Sequence, residues 1–290
     1  MLQNKTVLII GSSGYLGKEI TSLAEAQNRV FRTHFRNPIS QTSVRYDFFN
    51  DSIEKQVDLD SVDLIIFTGM VEFEASDRVA ASVERFAQAC RTKQIVYLSS
   101  DGIFDGEQGN YSESDIPKPR TLYGRNLKIC EGALAKYCRN LCIVRPSYIY
   151  GFSSAGALDS RISKTRQLLE AGETVTLFND MSKSPLGVHQ VANAVLDLAR
   201  LNYNGIVHVA GERLSVFDFQ YQAMKALNID VDHLKSCPMP INQDGFLRDT
   251  SLNNSFWKQL TATNPNSITE TLANMTASQS PIQNRKCTYG

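Results

Sequence analysis

Gly11, Gly14 and Gly17 stand three residues apart, directly after an apolar run and at the start of a helical pattern. Glycine at the first place permits a tight turn. At the second it lets backbone approach a diphosphate, and at the third it lets the helix pack closely on the strand. The free N–H groups of the helix start would then face the phosphates. A cluster of cations, Arg32, His34 and Arg36, follows at the end of the next apolar run, and no carboxylate stands among them. An acid there would hydrogen-bond a ribose 2′-hydroxyl, whereas arginine suits a 2′-phosphate. The expected cofactor is therefore NADP(H) rather than NAD(H), the alternative being that the three are solvated surface cations. Asp47, after the short run 43–46, either faces the adenine or caps a turn.

These residues need a sheet to hold them. Apolar runs at 6–10, 29–33, 43–46, 63–67, 94–98, 141–144, 174–178 and 206–209 read as strands. Helical patterns at 15–26, 76–91, 122–138, 159–171, 188–200 and 216–227 alternate with them. Strands alternating with helices imply right-handed crossovers and a parallel sheet. Continuously apolar strands imply burial on both faces. The expected fold is α/β, a Rossmann doubly wound parallel sheet with a small C-terminal α/β substrate-binding subdomain. The sheet domain is expected over 1–150, with 188–209 returning to it. The subdomain is expected over 151–187 and 210–275, and a disordered polar tail over 276–290.

Composition narrows the function. The 290 residues carry 30 Lys plus Arg against 30 Asp plus Glu, so the basic excess usual in nucleic-acid binders is missing. No apolar stretch is long enough to span a bilayer, and the N-terminus lacks a signal-peptide pattern. A cytoplasmic protein is expected. The 6 cysteines form no Cys-x-x-Cys pair, so no metal site is expected. Cys90, Cys130, Cys138 and Cys142 fall in apolar patterns and read as buried, reduced thiols.

Further motifs carry a resemblance. The stretch Leu98-Ser99-Ser100-Asp101-Gly102-Ile103-Phe104-Asp105-Gly106 leads through Tyr111, Glu113, Pro117 and Pro119 to Tyr123-Gly124. Arg145-Pro146-Ser147-Tyr148-Ile149-Tyr150-Gly151, Ser184-Pro185-Leu186-Gly187-Val188, the run 205–211 and Asp249-Thr250-Ser251-Leu252 follow. Together with the glycine loop, these resemble the extended short-chain dehydrogenase/reductases, and within them the dTDP-4-dehydrorhamnose reductase-like family of sugar-nucleotide reductases. The resemblance covers about 5–275. It implies that Ser100 polarises a substrate carbonyl and that Tyr123 donates a proton to it. It implies cofactor contacts at Gly11, Ser12, Ser13, Gly14, Tyr15, Leu16 and Gly17, and at Arg32, His34, Arg36, Asp47 and Phe48. Thr68, Gly69, Met70, Ser99, Pro146 and Ser147 complete that set. Phe104 and Arg248 are the implied substrate contacts.

The family also places a lysine four residues after the tyrosine, where it lowers the phenol pKa. Here that residue is Leu127, and Lys128 comes one place later. One residue rotates a helical side chain by ~100°. Lys128 therefore serves only if a helix irregularity such as a π-bulge returns it to the tyrosine's face. Val79 stands where an Asn is usual, and Phe246-Leu247 replaces an Arg-Pro pair before Arg248.

Two functions remain. The first is an NADP-dependent reductase of a keto group on a nucleotide-linked sugar, with a place in polysaccharide biosynthesis and a homodimer as the expected assembly. The second is a catalytically silent NADP-binding regulatory or scaffold protein, as is the regulatory β subunit of methionine adenosyltransferase among the relatives. A dehydratase would need an Asp-Glu pair after the hydroxyl, but Gly102 follows Asp101. An epimerase would need the missing acid after the second strand.

Overall fold

Consecutive apolar residues in a strand must be buried on two faces, because side chains alternate. Val7 and Ile9 of β1 (Thr6–Ile10) enter one core, and Leu8 and Ile10 enter the other. The same alternation runs through β4 (Leu64–Phe67) and β5 (Gln94–Leu98). The structure, a computed structural model, describes residues 2–38, 40–154, 156–240 and 246–276.

With β2 (Arg29–His34), β3 (Val44–Arg45), β6 (Asn140–Pro146) and β11 (Gly205–Val209), these strands form one parallel sheet in the order β11-β6-β5-β4-β1-β2-β3. Helices α1 (Tyr15–Glu25) and α6 (Val188–Arg200) cover one face. Helices α3 (Ser76–Ala89) and α4 (Leu122–Tyr137) cover the other, and the short α2 (Ile53–Gln56) leans on α3. The strand order reverses between β1 and β4, and parallel sheets open their ligand crevice at such a point. The expected doubly wound sheet is the one observed.

A second core lies beyond β6. Helix α5 (Ser160–Glu170), α7 (Val216–Ala226) and α9 (Ile268–Thr276) enclose Ile162, Phe219, Met224 and Leu272. The parallel pair β8 (Val175–Phe178) and β13 (Leu234–Cys237) flanks them. Four two-residue strands join the halves: β7 (Ile149–Tyr150) pairs with β10 (Leu186–Gly187), and β9 (Ser182–Lys183) pairs with β12 (Leu214–Ser215). Helix α8 (Ser255–Thr261) departs from the expected division, because its fully buried Trp257 packs into the sheet domain's core. Thr276, expected in the tail, closes α9, and 277–290 lie outside the described residues. Cys90, Cys130, Cys138 and Cys142 are free and buried, and burial pushes their thiols up. Among the described residues no helix is long and apolar enough to cross a membrane.

Candidate active site

A cleft of about 1590 Å³ runs along the C-terminal ends of the strands. At its floor Gly11 has φ +83°, and a Cβ there would lie 2.7 Å from Gly69. A Cβ on Gly17 would lie 2.2 Å from the Gly11 carbonyl, so α1 closes directly onto the loop. Gly14 is the N-cap of α1 and brings no side chain to it. The helix start therefore keeps N–H groups for a ligand. Ser13, Tyr15 and Leu16 line the cleft with the glycines. Ser12 does not. It is fully buried and donates to the Thr33 carbonyl at 2.7 Å, bracing the loop against β2.

The cations after β2 divide. His34 and Arg36 line the cleft beside Asp47 and Phe48. The His34 Nδ1 atom is buried and meets no hydrogen-bond partner among the described residues. Arg32 is turned away, paired with Glu25 of α1 and bonded to Thr42 at 3.3 Å. Position along β2 explains this, since Arg32 and His34 share one face of the strand and only its C-terminal end reaches the crevice. Asp47 caps its turn, accepting from the Phe49 N–H at 3.0 Å and the Asn50 amide at 2.8 Å. Burial opposes its ionisation, but those bonds hold its carboxyl below the usual range. That capped turn also forms part of the cleft wall. Thr68, Gly69 and Met70 line the cleft's middle, and the Thr68 hydroxyl donates to the Ile10 carbonyl at 2.9 Å.

The far end holds the reacting groups. Ser100 and Tyr123 both line the cleft, and Ser100 lies near enough to act on the phenol. Glycines make that approach possible. A Cβ on Gly102 would lie 2.9 Å from the Tyr123 ring, and one on Gly124 would lie 2.2 Å from the Gly102 carbonyl. Thr121 caps α4, accepting from Gly124 N–H at 3.0 Å, and this sets the first turn that carries the tyrosine. Phe73 stacks on the Tyr123 ring at 5.0 Å. Burial, then the nearby Glu72 and Asp101 carboxylates, push the Tyr123 phenol well above its ordinary value, and Ser100 only partly offsets them. Ser99, Pro146 and Ser147 line the same end.

Three more expected site residues, besides Ser12 and Arg32, lie elsewhere. Helix α4 is regular through Lys128, with no π-bulge, so Lys128 points outward and its Nζ donates to the Pro117 carbonyl at 3.1 Å. Leu127, at the place of the family's lysine, is buried with Ile103, Phe104, Tyr111 and Leu252. Phe104 is fully buried, stacked on Tyr111 at 4.1 Å, and is packing rather than a substrate contact. Arg248 pairs with Asp180 and lies outside the cleft wall.

Three charged groups of the cleft wall were not among the expected site residues. Asp101 is buried, and burial alone would raise it. Lys183, with Nζ 3.0 Å from its Oδ2, outweighs this together with Thr250 and Ser100, and the carboxyl sits below its usual range. Glu72, also in the cleft wall, accepts from the Tyr97 hydroxyl at 2.8 Å, yet burial keeps its carboxyl raised. Lys183 had no signal beyond lying next to the Ser184–Val188 motif. Glu72 sits in a polar loop where a carboxylate is ordinary.

The family model described as "RmlD substrate binding domain" matches residues 5–280. The chain belongs to that family. It is similar to "Probable low-salt glycan biosynthesis reductase Agl14" of Haloferax volcanii, 27% identical over 252 residues, which cover 80% of this chain and 83% of that protein. It is also similar to "Methionine adenosyltransferase 2 subunit beta" of Danio rerio, 23% identical over 146 residues, but that covers only 48% of this chain and 45% of the other. A solved structure, of a hypothetical dTDP-4-dehydrorhamnose reductase from Sulfolobus tokodaii, superposes with a TM-score of 0.79 at 27% identity, covering 91% of this chain and 98% of that one.

Proposed function

We propose that this RmlD-family chain is an NADP(H)-dependent reductase acting on the keto group of a nucleotide-linked sugar. The observation that carries the reading is that Ser100 and Tyr123 meet at one end of the cleft whose other end is the Gly11–Gly17 loop. The residues fit the cofactor. The uncapped start of α1 suits its diphosphate, and the unpartnered His34 Nδ1 beside Arg36 suits a 2′-phosphate. The longer match to a glycan biosynthesis reductase supports a sugar substrate over the shorter match to a regulatory subunit.

Bound there, the nicotinamide would supply a hydride to the substrate's carbonyl carbon. The chain's own part is the proton. The Tyr123 phenol, held protonated by burial and by two carboxylates, is the donor to the carbonyl oxygen. Ser100 stands beside it; its own proton goes to Asp101, so its oxygen is free to accept from the phenol and orient it toward the carbonyl. A phenol raised in this way stays in the protonated state that reduction needs, though as a weaker acid than one with a cation beside it.

One observation favours the silent-binder reading: the charged groups acting directly on Tyr123 are carboxylates, and no ammonium is among them. The test is NADPH binding by fluorescence, then NADPH oxidation against a panel of nucleotide-linked 4-keto sugars. Tyr123→Phe is expected to lose about 10²–10⁴-fold in rate. If the wild type and Tyr123→Phe share one residual rate on every substrate, the reductase reading is overturned and the silent binder stands.

A further inference from the structure

Asp101 lies one residue past Ser100 and is met from every side by donors. Its Oδ1 accepts from the Ser100 hydroxyl at 2.9 Å. Its Oδ2 accepts from Ser147 at 3.0 Å, from Thr250 at 2.6 Å and from Lys183 Nζ at 3.0 Å. Lys183 Nζ also donates to Thr250 Oγ1 at 2.5 Å, closing a triangle. Only an ionised carboxylate accepts on every side in this way. Without a cation, a carboxylate this deep takes up a proton instead. A protonated Asp101 would turn one oxygen into a donor, and the bond from Ser100 would reverse or break.

We propose that Lys183 is a positioning residue for carbonyl reduction: paired with Asp101, it fixes the direction of the Ser100 hydroxyl and brings to the site the positive charge that the tyrosine helix lacks. This rests on the reductase reading above. The charge enters from a different element than the sequence pattern led one to expect. It comes from β9, which joins the second core to the sheet, while Leu127 on α4 stays in an apolar cluster. Lys183 reaches the cleft wall, so the pair sits where a substrate oxygen would be handled. Other groups facing Asp101 do not replace it. Ser147 and Thr250 are neutral. Tyr123 stays a phenol, and His208 on β11 is held neutral, with its pKa pushed down to about 3 by burial and by Arg145.

The test compares Lys183→Met and Lys183→Arg with wild type in the full chain. Three readouts are taken: NADPH affinity, the pH profile of kcat and KM, and the titration of the Asp101 carboxyl by carbon NMR. In Lys183→Met, kcat is expected to fall on the order of 10²-fold, since a misdirected hydroxyl costs that much, while KM and NADPH affinity hold within about threefold. The acid limb of the profile moves to higher pH, because Asp101 no longer stays ionised when protons become available. Lys183→Arg restores both. A folded Lys183→Met with the wild-type profile and the wild-type Asp101 titration overturns the proposal. Should Lys183→Met not fold, Lys183→Met combined with Asp101→Asn removes both charges. That variant is expected to be slow and without the acid limb, and a wild-type rate in it overturns the proposal. Leu127→Lys is the counter-arm. It is expected to lower stability without raising turnover, and a gain in turnover there with none lost in Lys183→Met overturns the proposal. If the wild type binds NADPH but turns over no substrate, the reductase reading fails by itself. The NMR titration then decides the pairing, and an unchanged Asp101 in Lys183→Met overturns it.

Discussion

Ser99 and Ser100 are neighbours at the end of β5, and each hydroxyl meets a carboxylate that has its own cation. Ser99 donates to Glu131 at 2.5 Å, and Arg145 clasps that carboxylate with two bonds of 2.9 and 2.6 Å. Ser100 donates to Asp101, which is held by Lys183. Alternation along the chain sends the two hydroxyls to different partners. The first pair is closed: the Arg145 side chain is 2% exposed, covered by the Phe104 ring at 5.3 Å. The second is open, with the Lys183 side chain 17% exposed at the cleft. The same charge chemistry does two jobs. The closed pair ties α4, and with it Tyr123, to β6. The open pair is available to the reaction.

The comparison breaks most visibly on stability. Arg145→Met leaves Glu131 buried without its partner, and breaking such a pair costs about 3–5 kcal/mol. Urea denaturation should show that loss. Lys183→Met is expected to cost less than half as much, because its carboxylate keeps three hydroxyl donors and can take a proton from the cleft. Equal losses would mean that both pairs are structural, and the distinction drawn here would fail.

The two pairs also mark how far the sequence could be read. The strand–loop–helix unit around Gly11 was legible because glycine leaves a steric signature, and the close approaches to Gly69 and the Gly11 carbonyl bear this out. The sheet was legible because residues such as Leu8 and Ile9 must each find a core. Charge pairing left no such trace. Lys183 and Asp101 are 82 positions apart, and nothing local distinguishes Lys183 from a surface lysine. Arg32 and Arg36 looked equivalent by type, and only the neighbouring Glu25 on α1 separates them. Trp257 was unreadable for the same reason, since the helix that carries it is short and its burial depends on the distant sheet.

A second contrast of tied and free charge concerns the cofactor. Arg32 is neutralised by Glu25 outside the cleft, while Arg36 lines it, its guanidinium 5.3 Å from the Phe35 ring. Arg36→Ala should weaken NADPH binding by about 1.5–3 kcal/mol, the usual worth of a hydrogen bond to a charged group, and NADH binding far less. Arg32→Ala should change neither by more than about twofold, because its removal leaves the cleft wall intact. Fluorescence titration of both cofactors at fixed salt reads the difference. A larger loss in Arg32→Ala would reassign the 2′-phosphate contact.

The smallest effect comes from the carboxylate that has no cation. Glu72 is buried like Asp101, but its partners are the Tyr97 hydroxyl and the Val71 N–H, and its carboxyl is raised where that of Asp101 is lowered. Its charge adds to the burial that lifts the Tyr123 phenol. Glu72 is ionised on the alkaline side, the range where the phenol would titrate, so its influence is present when it matters. Reduction needs the phenol protonated, and the rate therefore falls as pH rises through the Tyr123 pKa. Removing a neighbouring negative charge lowers that pKa. Glu72→Gln, which keeps the shape and an acceptor for Tyr97, should move the alkaline limb of kcat to lower pH. The move should be less than about one pH unit, since burial is the larger cause and remains. The acid limb, which belongs to Asp101 and Lys183, should stay where it is. A shift of the acid limb instead would mean that Glu72, rather than the Lys183 pair, carries the titration on that side. A fixed alkaline limb would mean that Tyr123 does not feel Glu72 during turnover.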